Sequence, residues 1–207
     1  METSPPLSVG GVLFEGFELL DFYGPLEMFG LLEEAARITI LAEQAGAIRS
    51  SAGPAGLAEA TMADCEGFDV LLIPGGIGTR KQMVNAGFLA ELTRLAEASR
   101  IGATVCTGSF LLACTGLLDG RNATTNKRVF QLVASRVPQV RWRRRARWVE
   151  DGKYFTSSGV SAGMDMAVAV IANLRGRAAA LEVASKAEFE WHEDSSWDPF
   201  AERIPEA

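Results

Sequence analysis

Cys106 lies in Ala103-Thr104-Val105-Cys106-Thr107-Gly108-Ser109, between a short apolar β-like run and the apolar stretch Phe110-Leu111-Leu112-Ala113. The pattern predicts a strand, a sharp turn and a helix, with the thiol on the turn. Unpaired N–H groups and the positive end of a helix dipole at such a place favour thiolate over thiol. Ala103, Gly108 and Ser109 are small enough for a tight elbow and a close substrate approach. A thiol so placed suits covalent catalysis, which splits one difficult step into two, or oxidation sensing. Cysteine is also a small buried hydrophobe, and the turn context sets Cys106 apart from that reading. Cys114 on the apolar stretch reads as core filling, and Cys65 as a partly exposed loop residue.

Two more segments join the first. Leu20-Asp21-Phe22-Tyr23-Gly24-Pro25 offers a carboxyl group, either as an acid–base partner or as a helix cap ahead of Pro25. Ile73-Pro74-Gly75-Gly76-Ile77-Gly78 is a glycine loop without the spacing or the following acid of a dinucleotide fingerprint, so no nucleotide cofactor is expected. His192 is the only histidine. That excludes multi-histidine metal sites, and its place near the end of the chain reads as surface.

The elements that must position these residues alternate. Leu7 to Phe14 reads as a strand, and Leu26 to Ala36 as a helix with Pro25 in its first turn. Arg37 to Glu43 and Asp69 to Ile73 read as strands. Phe88 to Ser99 reads as a helix with Leu89, Leu92, Leu95 and Ala96 on one face. Asn126 to Val137 reads as a helix stopped by Pro138, Arg147 to Thr156 as a hairpin around Asp151-Gly152, and Ala162 to Leu174 and Ala178 to Phe189 as helices. Such alternation implies an α/β fold with a largely parallel sheet covered on both faces, and ligands beyond the strands' carboxyl ends. The glycine loop and Cys106 both fall there.

The 207 residues are 48% hydrophobic, enough for one compact domain with a sizeable core. We expect a single domain over 1–207, with a core of about 7–190 and a tail at 191–207. The formal charge of -6 argues against nucleic-acid and anionic-membrane partners. Three cysteines do not make a disulfide framework, which predicts a reducing, cytoplasmic setting. Met1 to Gly10 lacks the pattern of a signal peptide, and no apolar run reaches the roughly 18 to 20 residues that span a bilayer.

The three segments, together with Ala123-Thr124-Thr125 and Gly159-Val160-Ser161-Ala162-Gly163-Met164-Asp165, resemble the ThiJ/PfpI superfamily of class I glutamine-amidotransferase-like proteins. The Leu-Asp-x-x-Gly-Pro loop, the Cys-Thr-Gly-Ser elbow and the Ser-Ala-Gly-Met-Asp segment look most like the isonitrile hydratase branch. The resemblance implies a flavodoxin-like three-layer sandwich, a homodimer, no cofactor, and a nucleophilic Cys106 with Asp21 and Thr107 as catalytic partners. An ionised Asp21 beside a thiolate would repel it, so the pair is expected to share one proton with the carboxyl pKa raised. The resemblance assigns Gly76, beside Gly75, a backbone N–H for an oxyanion; the topology, separately, puts Ile77, Phe22 and residues near Val160 in the pocket walls. Many relatives carry a histidine where this chain has Asn126, which can orient water or substrate but cannot act as a base. The implied activity is hydration of a small molecule such as an isonitrile. Small-amide hydrolysis, glyoxalase-like chemistry and a thiol-based sensor stand as alternatives. A fused transcription regulator is disfavoured by the chain's ending after an acidic tail.

Arg141-Trp142-Arg143-Arg144-Arg145-Ala146-Arg147-Trp148 reads as a strand with Arg141, Arg143, Arg145 and Arg147 on one face, meeting solvent or the acids between Glu188 and Glu202. Trp191, Trp197 and Phe200 are expected to anchor the tail on the domain or on a partner. Asp165 reads as a helix-dipole carboxylate.

Overall fold

The computed structural model describes residues 5–203. The outer ends of the expected domain and tail, residues 1–4 and 204–207, lie outside the described residues. In chain order the elements are β1 (Leu7–Val12), α1 (Leu19–Gly30), β2 (Ala36–Ala42), β3 (Gly46–Arg49), β4 (Ala55–Ala58), β5 (Ala60–Thr61), β6 (Val70–Ile73), α2 (Thr79–Gln82), α3 (Ala86–Ala98), β7 (Ile101–Val105), α4 (Gly108–Cys114), β8 (Asn122–Ala123), α5 (Phe130–Arg136), β9 (Arg141–Trp142), β10 (Trp148–Asp151), β11 (Tyr154–Ser157), α6 (Ala162–Arg175), α7 (Arg177–Lys186) and α8 (Phe200–Arg203).

The main sheet has the order β10-β11-β7-β6-β1-β2-β5. Its pairings are parallel except β10 with β11, which form the expected hairpin. Every residue of β6 and β7 is buried, so both faces of the sheet's centre are covered. The chain moves from β1 through α1 to β2 in one direction, and from β6 through α3 to β7 in the other. Right-handed crossovers then put α1 and α3 on opposite faces, which gives the flavodoxin-like sandwich. The direction reverses between β1 and β6, and a crevice opens at that switch point beyond the strands' carboxyl ends. Residues after β1, β6 and β7 therefore meet there. No helix among the described residues is long and apolar enough to cross a membrane.

Two elements differ from expectation. The first helix runs Leu19–Gly30 and not from Leu26 to Ala36, where β2 already begins, and it places Pro25 in its interior. Pro25 has no N–H to give the Asp21 carbonyl, a loss that normally breaks helices. Burial of Phe22, Pro25, Leu26 and Phe29 against the sheet offsets it. The arginine run is not one strand: β9 ends at Trp142, a turn covers Arg144 and Arg145, and β10 begins at Trp148. The expected shared face is therefore broken, and Arg147 goes inside at 6% exposure.

Candidate active site

Cys106 sits in the left-handed region at φ 57, on the bend between β7 and α4. A non-glycine residue holds that conformation only when its surroundings fix it. Here its N–H donates to the Ser157 carbonyl at 3.1 Å. Its carbonyl accepts from the Ser109 hydroxyl at 2.8 Å and the Thr125 hydroxyl at 3.0 Å. The sulfur is thus aimed by three elements at once.

Asp21, in the first turn of α1, is fully buried beside this sulfur. Its Oδ2 accepts from the Gly75 N–H at 3.1 Å, while the buried Oδ1 has no N–H or O–H partner among the described residues. A Cβ on Gly75 would stand 2.6 Å from the Thr107 nitrogen and 2.8 Å from the Asp21 carboxyl, so only glycine allows this approach. Burial raises the Asp21 carboxyl from 3.8 to about 7, against the hydrogen bonds to Cys106 and Gly75 that lower it. Burial also pushes the Cys106 thiol above the ordinary range, and the charge of Asp21 adds to that rise. The Asn126 amide and the Thr107 backbone pull the other way. The expected resting thiolate is thereby corrected: α4 has only seven residues, and desolvation outweighs its N-terminus. The thiol and the carboxyl form a pair in which the proton rests on sulfur.

The expected oxyanion donors are both engaged. Gly75 gives its N–H to Asp21 and orients the acid. Gly76 gives its N–H to the Thr107 hydroxyl at 3.1 Å. The Thr79 hydroxyl, which sequence reasoning missed, donates to the Gly76 carbonyl at 2.8 Å and lies 3.4 Å from the Thr107 hydroxyl. A turn of the Thr107 side chain would free the Gly76 N–H for a ligand.

Asn126 touches the sulfur itself: its Nδ2 is 3.0 Å from Sγ. Cys106, Thr107, Gly76, Ile77, Asn126 and Val160 all border one open cavity of about 650 Å³, and Ile77 is 55% exposed on its wall, whereas Phe22 is fully buried in the core and does not line it. That volume suits a small organic molecule. Cys106, although buried to 6% exposure, faces this space. No cluster of three or more His, Cys, Asp or Glu side chains that could hold a metal exists among the described residues.

The profile of the DJ-1/PfpI family matches residues 8–173. The chain belongs to that family. An isonitrile hydratase from Pseudomonas putida is 31% identical over 82% of this chain and 73% of its own length. A ThiJ/PfpI family protein from Pseudomonas syringae has a TM-score of 0.83 at 30% identity, covering 89% of this chain and 76% of that one. The HTH-type transcriptional regulator GbdR of Pseudomonas aeruginosa is 28% identical over 83% of this chain, which spans 48% of the regulator. DJ-1/PfpI relatives thus include both enzymes and regulators by name.

In this DJ-1/PfpI domain a buried ionic cluster lies next to the site. Arg147 pairs with Asp165, its Nε 2.7 Å and its Nη2 2.6 Å from Oδ2. Asp198 from the tail lies 3.9 Å from Arg147 and 3.7 Å from the Lys127 ammonium. Lys127 also donates to the Ala146 carbonyl at 2.7 Å and the Thr124 hydroxyl at 2.8 Å. Burial lowers its pKa to about 8, although Asp198 raises it. Asp165 is therefore an ion-pair partner and not merely a dipole carboxylate. Its Oδ1 also accepts the His192 N–H at 2.7 Å, and its carbonyl accepts the Trp191 indole N–H at 3.0 Å. Trp191 anchors the tail on the domain, whereas Trp197 and Phe200 remain 51% and 40% exposed. The His192 side chain stays at the surface, as expected. Cys65 and Cys114 are free and half-buried.

Proposed function

We propose that this protein is a cysteine-dependent hydratase of small molecules, with isonitriles as the substrate class and N-substituted formamides as products. The observation that carries the reading is the buried Asp21 carboxyl beside the Cys106 thiol at the base of an open cavity. The likeness to an isonitrile hydratase supports it.

The pair begins with one proton, on sulfur. As the Cys106 sulfur attacks the terminal carbon of the isonitrile, Asp21 takes the thiol proton and delivers it to that carbon. A C–S and a C–H bond form, and the product is a thioimidate. Water then adds to the thioimidate carbon while Asp21 accepts one of its protons and passes it to the nitrogen, leaving the other on the new hydroxyl for return to sulfur. Collapse breaks the C–S bond, and the proton returns to sulfur as the formamide leaves. An acid raised to about 7 can perform both transfers near neutral pH. Thr107, once turned, offers the Gly76 N–H to developing negative charge. Asn126 donates to sulfur throughout.

Amide hydrolysis and glyoxalase-like chemistry that rely on a histidine at the Asn126 position find a non-titrating amide there. A peroxide sensor calls for a thiol that ionises readily at rest, whereas burial and the Asp21 charge push this one the other way. The reading includes a single domain and, as the family resemblance implies, a homodimer. A panel of isonitriles, small amides and methylglyoxal, assayed on wild type and Cys106→Ala, tests it. Formamide from isonitriles alone, abolished in the variant, is the expected result. Formamide production by Cys106→Ala would remove the covalent scheme.

A further inference from the structure

The cavity above Cys106 is larger than a two-atom reacting group requires, and its lining is uneven. Phe110 and Leu132 contribute apolar wall. Arg80, Arg128 and Arg136 border it with their side chains exposed, against one carboxylate, Glu18. The whole chain carries a formal charge of -6, so an excess of cations around one cavity runs against its composition. Among the described residues no carboxylate forms a salt bridge with any of the three arginines. Arg136 reaches the Met83 sulfur, at 4.0 Å, and acts on the Cys114 thiol, and Glu18 accepts the Ser51 hydroxyl at 3.0 Å. Guanidinium groups match carboxylates and similar oxyanions in shape and charge.

We infer that the cavity takes a substrate with an apolar body and an anionic group such as a carboxylate. The anion meets the arginine rim while the reacting carbon reaches Cys106. The inference rests on Cys106 as the reacting thiol and names the substrate class of that same site. A neutral isonitrile would fill the apolar wall and leave three cations with no carboxylate paired to them among the described residues.

The test uses two thiol reagents of one shape, 4-(bromomethyl)benzoate and 4-(bromomethyl)benzamide. In both, sulfur forms a bond to the benzylic carbon and bromide leaves. Alkylation at Cys106 is followed by peptide mapping in wild type, in Arg80→Gln, Arg128→Gln and Arg136→Gln, and in the triple variant. The quantity read is the anionic-to-neutral rate ratio, divided by the same ratio for free cysteine. Because it is a ratio within each protein, changes in the thiol itself cancel. The expected wild-type value is about tenfold above that of the triple variant, with each single substitution lowering it about two- to threefold and added salt compressing the difference. An equal ratio in wild type and triple variant, or no reaction of Cys106 with either reagent, would overturn the inference. Failure to make formamide from any isonitrile would sink the hydratase reading while leaving this ratio standing, so the two failures are distinguishable.

Discussion

Asn126 presents its amide nitrogen to the Cys106 sulfur at 3.0 Å, while the Arg128 N–H lies 2.8 Å from its amide oxygen. A backbone N–H can only donate, so Arg128 settles which end of the amide faces the thiol. At the place where many relatives carry a histidine, this chain holds a donor that does not titrate. It favours negative charge on sulfur during attack without competing with Asp21 for the proton.

Removing that donor should make the thiol harder to ionise. Asn126→Ala is expected to slow iodoacetamide alkylation of Cys106 about tenfold near pH 7.5 and to move its pH profile upward. Gly159→Ala should do the same without replacing either residue, because its Cβ would collide with the Asn126 amide nitrogen and also stand 3.1 Å from the Cys106 sulfur. An unaltered alkylation profile in both variants would show that the N–H···S contact carries no weight.

Asp21→Asn should separate function from stability. Activity is expected to fall by at least about 10²-fold, the lower range of general acid–base assistance. Stability should rise. The unfolded aspartate releases its proton near 3.8, the folded one near 7. Between these values the folded state holds a proton the unfolded state has lost. Its stability therefore declines as pH rises through that window, and levels off above about 7. The full decline is on the order of 4 kcal/mol. The asparagine variant lacks it, so urea midpoints should favour the variant at pH 8 and converge toward pH 4. In wild type, kcat/KM should climb through about pH 7 as the second proton leaves the pair. The variant should lose that limb.

The sequence made the positions of the site and the raised Asp21 carboxyl legible, and left obscure on which partner the shared proton rests. The small residues around Cys106 mark the elbow, and the segment order places Asp21, Gly75 and Gly76 at one end of the sheet. Periodicity recovers α3, and Asp151-Gly152 recovers the hairpin. Pro25 misleads because a helix-start signal and a tolerated helix-interior proline look identical until the buried face is known. The thiolate expectation fails for a related reason: desolvation depends on three-dimensional burial, which no local spacing encodes. Thr79 has no signal beyond lying after the glycine loop. Alternation along Arg141 to Trp148 hides the turn that sends Arg147 inward to Asp165.

Arg147 offers a stability test free of the catalytic groups. Arg147→Met leaves Asp165 buried without its cation, and breaking a buried pair on one side costs about 3–5 kcal/mol. Thermal and urea unfolding of this variant should show a loss of that order. The double variant Arg147→Met, Asp165→Leu should regain much of it. A single variant as stable as wild type would mean that water reaches the cluster and relieves the charge.

The residues after α7 bring Asp198 to Lys127, and Lys127 is the next residue after Asn126. Proteolytic trimming ahead of Asp198 would leave β6 and β7 intact yet strip an ammonium group of its counter-charge one peptide bond from the sulfur's neighbour. The tail is thereby tied by charge to the segment that carries Asn126, and a clipped molecule would leave a buried ammonium beside that segment without its carboxylate.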